Sequence, residues 1–504
     1  MLNLKSNHYV NRTVISAILV MASTSLHAQR PENLWLDSYN PAGIRQDTSI
    51  ARSASAELYA KISAGGFRQT WEAPLPWNAG ARTYALVHYK DISLEGSFSF
   101  DQMQGDQMCG SMMVRPGYYP VDVLEFTPGK KNMQTYAFTG AISADISSNL
   151  RLGAGIDFTC ANYSKRKDLR HSNYFLDFSI APGIVWHRDD FSAGVNLRLS
   201  KNSDTPVAKQ IGSKDTYYAF LDKGLMYGQY EIWDGSGVHL SEAGVNGFPV
   251  RELIYGAGLQ VQSGRFYAAA DYSYGKGRVG EKQQVWFRFP SHVAKLDVGG
   301  WIPSDRGLHS IRAQIKWKRL DNSETVLDKY NEGGVTYYKE ITSREILHYD
   351  QADARLSYKY EDGANRIFAE LAGGFRSSAS FSMFPFINER FTSCGLLNVG
   401  YNRAIGRFDI GFRIGGRLGS VTQASRQADE ESGISSEQFR LEEWDEKYVE
   451  YLKVPRMNLG INLRSNIWRG LYLRLEAGYV RAFGVIFLPG SDRITGELAL
   501  GYEF

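Results

Sequence analysis

From Arg407 to Leu418 the chain alternates with a period of two. Phe408, Ile410, Phe412, Ile414 and Leu418 are apolar, and Arg407, Asp409, Arg413 and Arg417 stand between them. A period of two is the signature of an extended strand with one apolar and one polar face. The pattern recurs at Ile311, Ala313, Ile315 and Trp317 against Arg312, Gln314, Lys316 and Lys318, and at Ile494, Leu498, Leu500, Tyr502 and Phe504 near the C-terminus. Beyond the first 28 residues no apolar stretch reaches the roughly 20 residues that a membrane helix needs. The chain is therefore expected to be all-β.

A soluble sandwich also alternates, so the connections must decide. Short turns at Arg188 to Asp190, Ser263-Gly264, Ile405-Gly406 and Trp468 to Gly470 alternate along the chain with long polar connections. Short turns at one end and long loops at the other are the layout of an outer-membrane barrel. The reading predicts a transmembrane antiparallel β-barrel of about 18 strands, with 16 as the alternative, the first near 54–62, the last near 493–504 and one at 448–466. Trp186, Trp301, Trp468, Tyr360, Tyr502 and Phe504 fall beside the short turns or the C-terminus, as an interfacial aromatic girdle would. Terminal Phe504 resembles the insertion signal read by the barrel-assembly machinery, which makes that machinery and the outer-membrane lipid the expected partners.

Lys5 and Arg12 precede an apolar run from Val14 to Ala22, followed by Ser25-Leu26-His27-Ala28. This is the order of a secretory signal peptide. The expected division is 1–28 signal peptide, 29–53 N-terminal periplasmic or lumenal segment, and 54–504 barrel in the outer membrane of a Gram-negative bacterium. With 57 Lys plus Arg against 54 Asp plus Glu, bulk charge gives no reason to expect nucleic acid. Three Cys exclude a disulfide scaffold and leave room for one bridge among Cys109, Cys160 and Cys394.

If the apolar face meets lipid, the polar face lines the lumen. The lumen-lining candidates are Arg312, Lys316 and Lys318 on one strand, Arg407, Asp409, Arg413 and Arg417 on another, and Arg464, Arg474 and Glu476 near the end. Cations outnumber anions among the clearest strands. An interior of that kind favours small polar, anionic solutes, or it is a wall of cross-strand ion pairs, or it is a surface that holds a plug. The long connection 201–249 carries Tyr217, Tyr218, Tyr227, Tyr230 and Trp233, which suit a constriction, a docking surface for an outer-membrane transporter or surface lipoprotein, or a self-packed loop. The acidic stretch 421–447 reads as a solvated loop. Gly275-Lys276-Gly277-Arg278-Val279-Gly280 spells a dinucleotide fingerprint but lacks the helix that one requires, and reads as a loop. No catalytic motif, metal-ligand spacing or cofactor site emerges, so no enzyme is expected; His348 and Asp350 read as a structural pair.

Asn40-Pro41-Ala42-Gly43 resembles the N-terminal segment of the long-chain fatty-acid transporter and related barrels. Across its whole length, with its single-barrel pattern and Phe terminus, the chain resembles uncharacterised outer-membrane barrels of Bacteroidota. The first resemblance implies a hatch inside the barrel and passage of a hydrophobic solute. The second implies the fold and no catalytic residue. Passage or capture of a polar solute, a non-conducting accessory subunit of a transport or secretion complex, and a hydrophobic-solute transporter are therefore the three functional expectations.

Overall fold

The computed structural model describes residues 34–46, 52–209, 219–224, 230–233, 248–281, 284–381, 387–426 and 436–504. The expected signal peptide lies outside them. In chain order the strands are β1 (Arg52–Ala64), β2 (Trp77–Tyr89), β3 (Ile92–Ser111), β4 (Asp122–Ser147), β5 (Leu150–Lys165), β6 (Arg170–Arg188) and β7 (Phe191–Lys209). Two short strands follow, β8 (Ala219–Asp222) and β9 (Tyr230–Trp233). Next come β10 (Val250–Ser263), β11 (Phe266–Glu281), β12 (Gln284–Ser304), β13 (Gly307–Glu332), β14 (Val335–Glu361) and β15 (Asn365–Phe381). The last are β16 (Ile387–Ile405), β17 (Phe408–Arg426), β18 (Arg456–Trp468), β19 (Leu471–Ala482) and β20 (Asp492–Glu503).

Neighbours along the chain pair antiparallel, β7 pairs β10, and β1 pairs β20 with Ala56 opposite Tyr502 and Ala64 opposite Ile494. That last pairing closes a barrel of 18 strands, while β8 and β9 stay outside the ring and branch inward from β4. The expected strand number is the one observed. Closure leaves the barrel wall no open edge. Alternation then sets the two faces. Leu58, Leu259, Ile315, Phe412, Ile461 and Leu498 are all more than half exposed, while polar groups such as Glu57, Lys316, Arg474 and Glu497 are buried inside. Such an inverted distribution fits hydrocarbon as the outer solvent, because a charge facing lipid at mid-depth costs about 2–4 kcal/mol. No helix is long and apolar enough to cross a membrane among the described residues.

One end of the barrel carries two- or three-residue turns. At Gly470 φ is +89°, and a Cβ there would strike the carbonyl oxygen of Glu503, so the turn needs glycine. The other end carries the long connections, and β13 and β14 stand taller than their neighbours: β12 pairs β13 only as far as Glu324, and β15 pairs β14 only from Leu347 onward.

Three local expectations fail. The acidic stretch is not all loop, because α1 (Ser436–Lys453) forms there, and the strand expected over 448–466 begins only at Arg456. The glycine-rich hexapeptide is part of β11 rather than a loop; Gly275 clears space for Glu252 and Ser291, and Gly277 lies under the Phe289 ring. Trp301 has the inward parity of β12, between outward Gly300 and Ile302, so it does not join Trp186 and Trp468 outside.

Candidate functional site

The inside of the barrel is occupied at both ends by the chain itself. At the short-turn end, residues 34–46 enter the bore. Asn40 caps the 3-10 helix Pro41–Arg45 by accepting from the Ala42 amide at 3.1 Å, with proline in the first turn where no amide is needed. The Asn40 amide nitrogen donates to the carbonyls of Ile184 at 3.1 Å and Val195 at 3.3 Å and to Gln260 at 2.9 Å. Gly153, Gly183 and Gly194 form the groove that receives it. A Cβ at Gly183 would overlap the Asn40 side chain, and one at Gly153 would overlap the backbone at Ala42. Trp35 is buried edge-on against Tyr267 at 5.8 Å and donates to Gln262 at 2.6 Å.

Charge fastens the same segment. Arg45 pairs with Asp145, and Asp37 pairs with Arg312. The Lys295 ammonium donates to the Tyr39 hydroxyl at 2.6 Å, and the Arg198 guanidinium lies 3.9 Å from the Tyr39 ring centre. Burial alone would push the Tyr39 phenol up, but Lys295 and Arg198 outweigh it and hold it down at about 8.

The long-loop end is closed from two sides. On one side the β3–β4 connection, 112–121, folds inward. Met112, Met113, Tyr118, Tyr119 and Val121 pack with Phe248, Phe287, Phe289, Leu320 and Ile346, all nearly inaccessible to solvent. Buried polar contacts fix its position: Tyr118 donates to Glu252 at 2.9 Å, Tyr119 to Asn202 at 2.9 Å, and Arg115 pairs with Asp177 at 2.6 Å. Burial raises both phenols well above their ordinary range, so both remain hydrogen-bond donors.

On the other side α1 covers the mouth. Trp444 stacks on Tyr448 and meets Trp71 and Phe126. Asp445 pairs with Arg390 on β16 at 2.6 Å; burial still raises its carboxyl against that cation. Glu450 accepts from the backbone amides of Ile486, Phe487 and Leu488 at 2.5–2.8 Å, and Arg417 donates to the Leu452 carbonyl at 2.9 Å. The β8–β9 hairpin fills the gap between the two covers, pairing with β4, and its Lys223 reaches Glu324 at 2.7 Å.

The expected lumenal residues do not converge on one spot. Arg312 pairs with Asp297 and Asp37, Arg464 with Glu503, and Asp409 with Arg366. Arg474 joins Glu476 and reaches Glu57 at 2.7 Å and Glu497 at 3.0 Å; Arg82 binds the last two as well. Between Lys61, Arg413, Glu476 and Glu497 lies a small recess of about 30 Å³, large enough to hold water. Lys318 is buried beneath the 112–121 connection, 5.4 Å from the Tyr118 ring centre, and Lys316 is buried opposite Lys295, whereas Arg407 is exposed at the short-turn end. Asp145, Asp297, Glu57 and Glu503 are the carboxylates that the count over the clearest strands omitted, and they answer many of its cations.

Tyr217, Tyr218 and Tyr227 lie outside the described residues; Tyr230 and Trp233 sit at the two ends of β9, opposite Asp222 and Ala219. His348 bonds Asp321 at 2.7 Å and approaches Glu345 at 3.1 Å; this pairing replaces the expected one with Asp350. Cys109, Cys160 and Cys394 are all free thiols.

A search of curated proteins finds no match to this chain. Among solved structures, similarity extends to CdiB from Acinetobacter baumannii at 7% identity and a TM-score of 0.36, covering 89% of this chain and 60% of that one. The copper transporter OprC is similar at 9% identity and a TM-score of 0.42, covering 90% and 80% of the two chains. The ferric enterobactin receptor PfeA from Pseudomonas aeruginosa gives 10% identity and a TM-score of 0.41, covering 90% and 81%. Likenesses this distant carry no inference about solute or partner. Residues 41–504 match a family of unknown function, DUF6850, and the chain belongs to that family.

Proposed function

We propose that this protein is a gated outer-membrane barrel that passes or captures a small polar solute and rests in a closed state. The apolar exterior, the closed antiparallel wall and the sorted connections support an outer-membrane site with the short turns in the periplasm and the long loops outside. The observation that carries the gating is the pair of covers at the long-loop end. Both are held to the inner wall by polar contacts, Tyr118 to Glu252 and Asp445 to Arg390 among them. Contacts of this kind, made to charged groups, exchange for water at a net cost of about 1.5–3 kcal/mol each. Across the bore from residues 34–46, the side chains of Arg355, Lys359 and Arg366 are a quarter or more exposed, so water reaches the wall from the periplasmic side.

The inner wall carries both signs of charge in paired form, which supports polar solutes in general more than anions in particular. A hydrophobic solute has less support, since the bore offers it ion pairs such as Arg474 with Glu497. Planar-bilayer recording tests the proposal. Wild-type protein is expected to be silent or to open rarely, and replacing 112–121 by a short Gly-Ser link is expected to give stable conductance. A silent, correctly assembled link variant would remove gating by this connection.

The accessory-subunit reading keeps one observation in its favour. Beyond Glu324 and Leu347 the β13–β14 ribbon pairs with no third strand among the described residues, and Tyr330 and Tyr337 stack on it at 5.5 Å. Co-purification of one partner with intact protein, lost when residues 326–342 are shortened, would support it.

A further inference from the structure

The outer surface of the barrel is not uniform around its circumference. On β7 the outward positions Phe191, Val195, Leu197 and Leu199 lead to Lys201. On β10 they run from Val261 through Leu259, Tyr255 and Leu253 to Arg251. On β11 they run from Phe266 through Tyr272 and Tyr274 to Lys276 and Arg278, and on β12 from Ile302 through Val298 and Leu296 to Arg288. Each apolar stretch approximates the 9–11 residues of a membrane-crossing strand, so these cations mark its outer border.

Register places them in rows. Arg251, Arg278 and Arg288 are direct cross-strand neighbours on three adjacent strands. One row nearer the membrane, Lys201 and Lys276 flank Leu253; the next row is Tyr255, Tyr274 and His292. At two other places the same border is neutral: Gln102, Gln134 and Asn162 form one row across β3, β4 and β5, and Ser393 faces Ser420 on β16 and β17. Like charges directly opposite in a sheet are destabilising. Glu281 answers Arg251 at 3.1 Å and Glu340 answers Arg288 at 2.7 Å, while Arg278, Lys276 and Lys201 have no ion pair among the described residues. An arc of cations directly above a tyrosine row suits a ligand with an anionic head and apolar chains.

We propose that Lys201, Arg251, Lys276, Arg278 and Arg288 bind the phosphorylated headgroup of a lipid in the outer leaflet, its acyl chains lying over Leu253, Tyr255 and Tyr274. Arginine suits the task because its planar fork meets phosphate oxygens two at a time. The lipid would neutralise the arginine row and fix the barrel's depth and rotation in the membrane. This inference rests on the outer-membrane location and is independent of whether the bore conducts.

The test uses full-length protein in a neutral detergent, titrated with a phosphorylated lipopolysaccharide and with its dephosphorylated form, bound lipid being read by native mass spectrometry. Wild type is expected to prefer the phosphorylated form. The variant R251Q/K276Q/R278Q should bind it about tenfold more weakly or worse, and a control triple at the opposite rim, K90Q/R188Q/R469Q, should not. Equal binding by the patch variant, or no preference for phosphate in the wild type, overturns the proposal. Displacement by millimolar inorganic phosphate also overturns it, by showing a site for the free anion. Should the patch variant fail to show the heat-dependent gel shift of a folded barrel, wild type alone decides: its affinity must fall steeply with added salt, and a salt-independent affinity overturns the proposal.

Discussion

Asn40 caps a helical turn with its oxygen and binds two wall carbonyls and a glutamine with its nitrogen, and three wall glycines leave room for it. Asn40→Ala removes the cap and leaves the Gln260 oxygen and two carbonyls short of a donor. The expected loosening is about 2 kcal/mol, or roughly thirtyfold faster hydrogen exchange of the amides at 42–46, with the strand amides unchanged. Tyr39 adds a pH dependence. Its phenol ionises at about 8 when seated, against 10.0 ordinarily, so between those values the seated segment is anionic while the released one is still protonated. Seating therefore strengthens as pH rises from about 8 towards 10, and that contribution disappears as pH falls through 8. Proteolysis of the segment should slow over this range in wild type and stay level in Tyr39→Phe. Asn40-Pro41-Ala42-Gly43 was legible as a segment set apart from the strands. Its receptor was not, because Gly153, Gly183 and Gly194 come from three different strands that only the register aligns.

The 18 wall strands were legible because period two acts along them, and lipid outside with polar groups inside preserves that period better than a soluble core does. By contrast β8, buried at every position, and β9 were not legible within the connection 201–249. The helix α1 was hidden by its own charge. Glu442, Glu443, Asp445, Glu446 and Lys447 dominate the stretch, and the spacing that betrays a helix, Trp444, Tyr448 and Tyr451, is only three aromatic residues long. Those three rings face Phe67, Trp71 and Phe126 across the mouth. Glu450 then ties the helix to the β19–β20 connection through three amides. Glu450→Ala leaves these amides without their acceptor, and a cost of about 3 kcal/mol for local opening is expected. Limited proteolysis should cut within 483–491 and at the start of α1 in the variant, while the heat-modifiable gel shift of the barrel persists. A cut pattern like that of wild type would mean that Glu450 contributes packing alone.

At the scale of the whole molecule the two ends are closed to different degrees, and this decides what each end controls. Residues 34–46 fill the part of the bore lined by β3 to β7 and by β10 to β13, and leave Arg355, Lys359 and Arg366 partly open to water. At the other end 112–121 covers the β6–β13 side, α1 covers the β16–β20 side, and Trp444, Phe126 and Phe220 meet between them. Resistances in series are governed by the largest. Deleting 34–46 alone is therefore expected to leave the barrel silent in a planar bilayer, because the tight closure is untouched. Replacing 112–121 or removing α1 each opens one side and should give stable currents. Removing 34–46 from either of those variants should raise the current further, since the short-turn end is then the narrower part. Stable conductance from the chain lacking only 34–46, with its gel shift intact, would place the governing closure at the short-turn end and reverse the assignment of gate and partial plug.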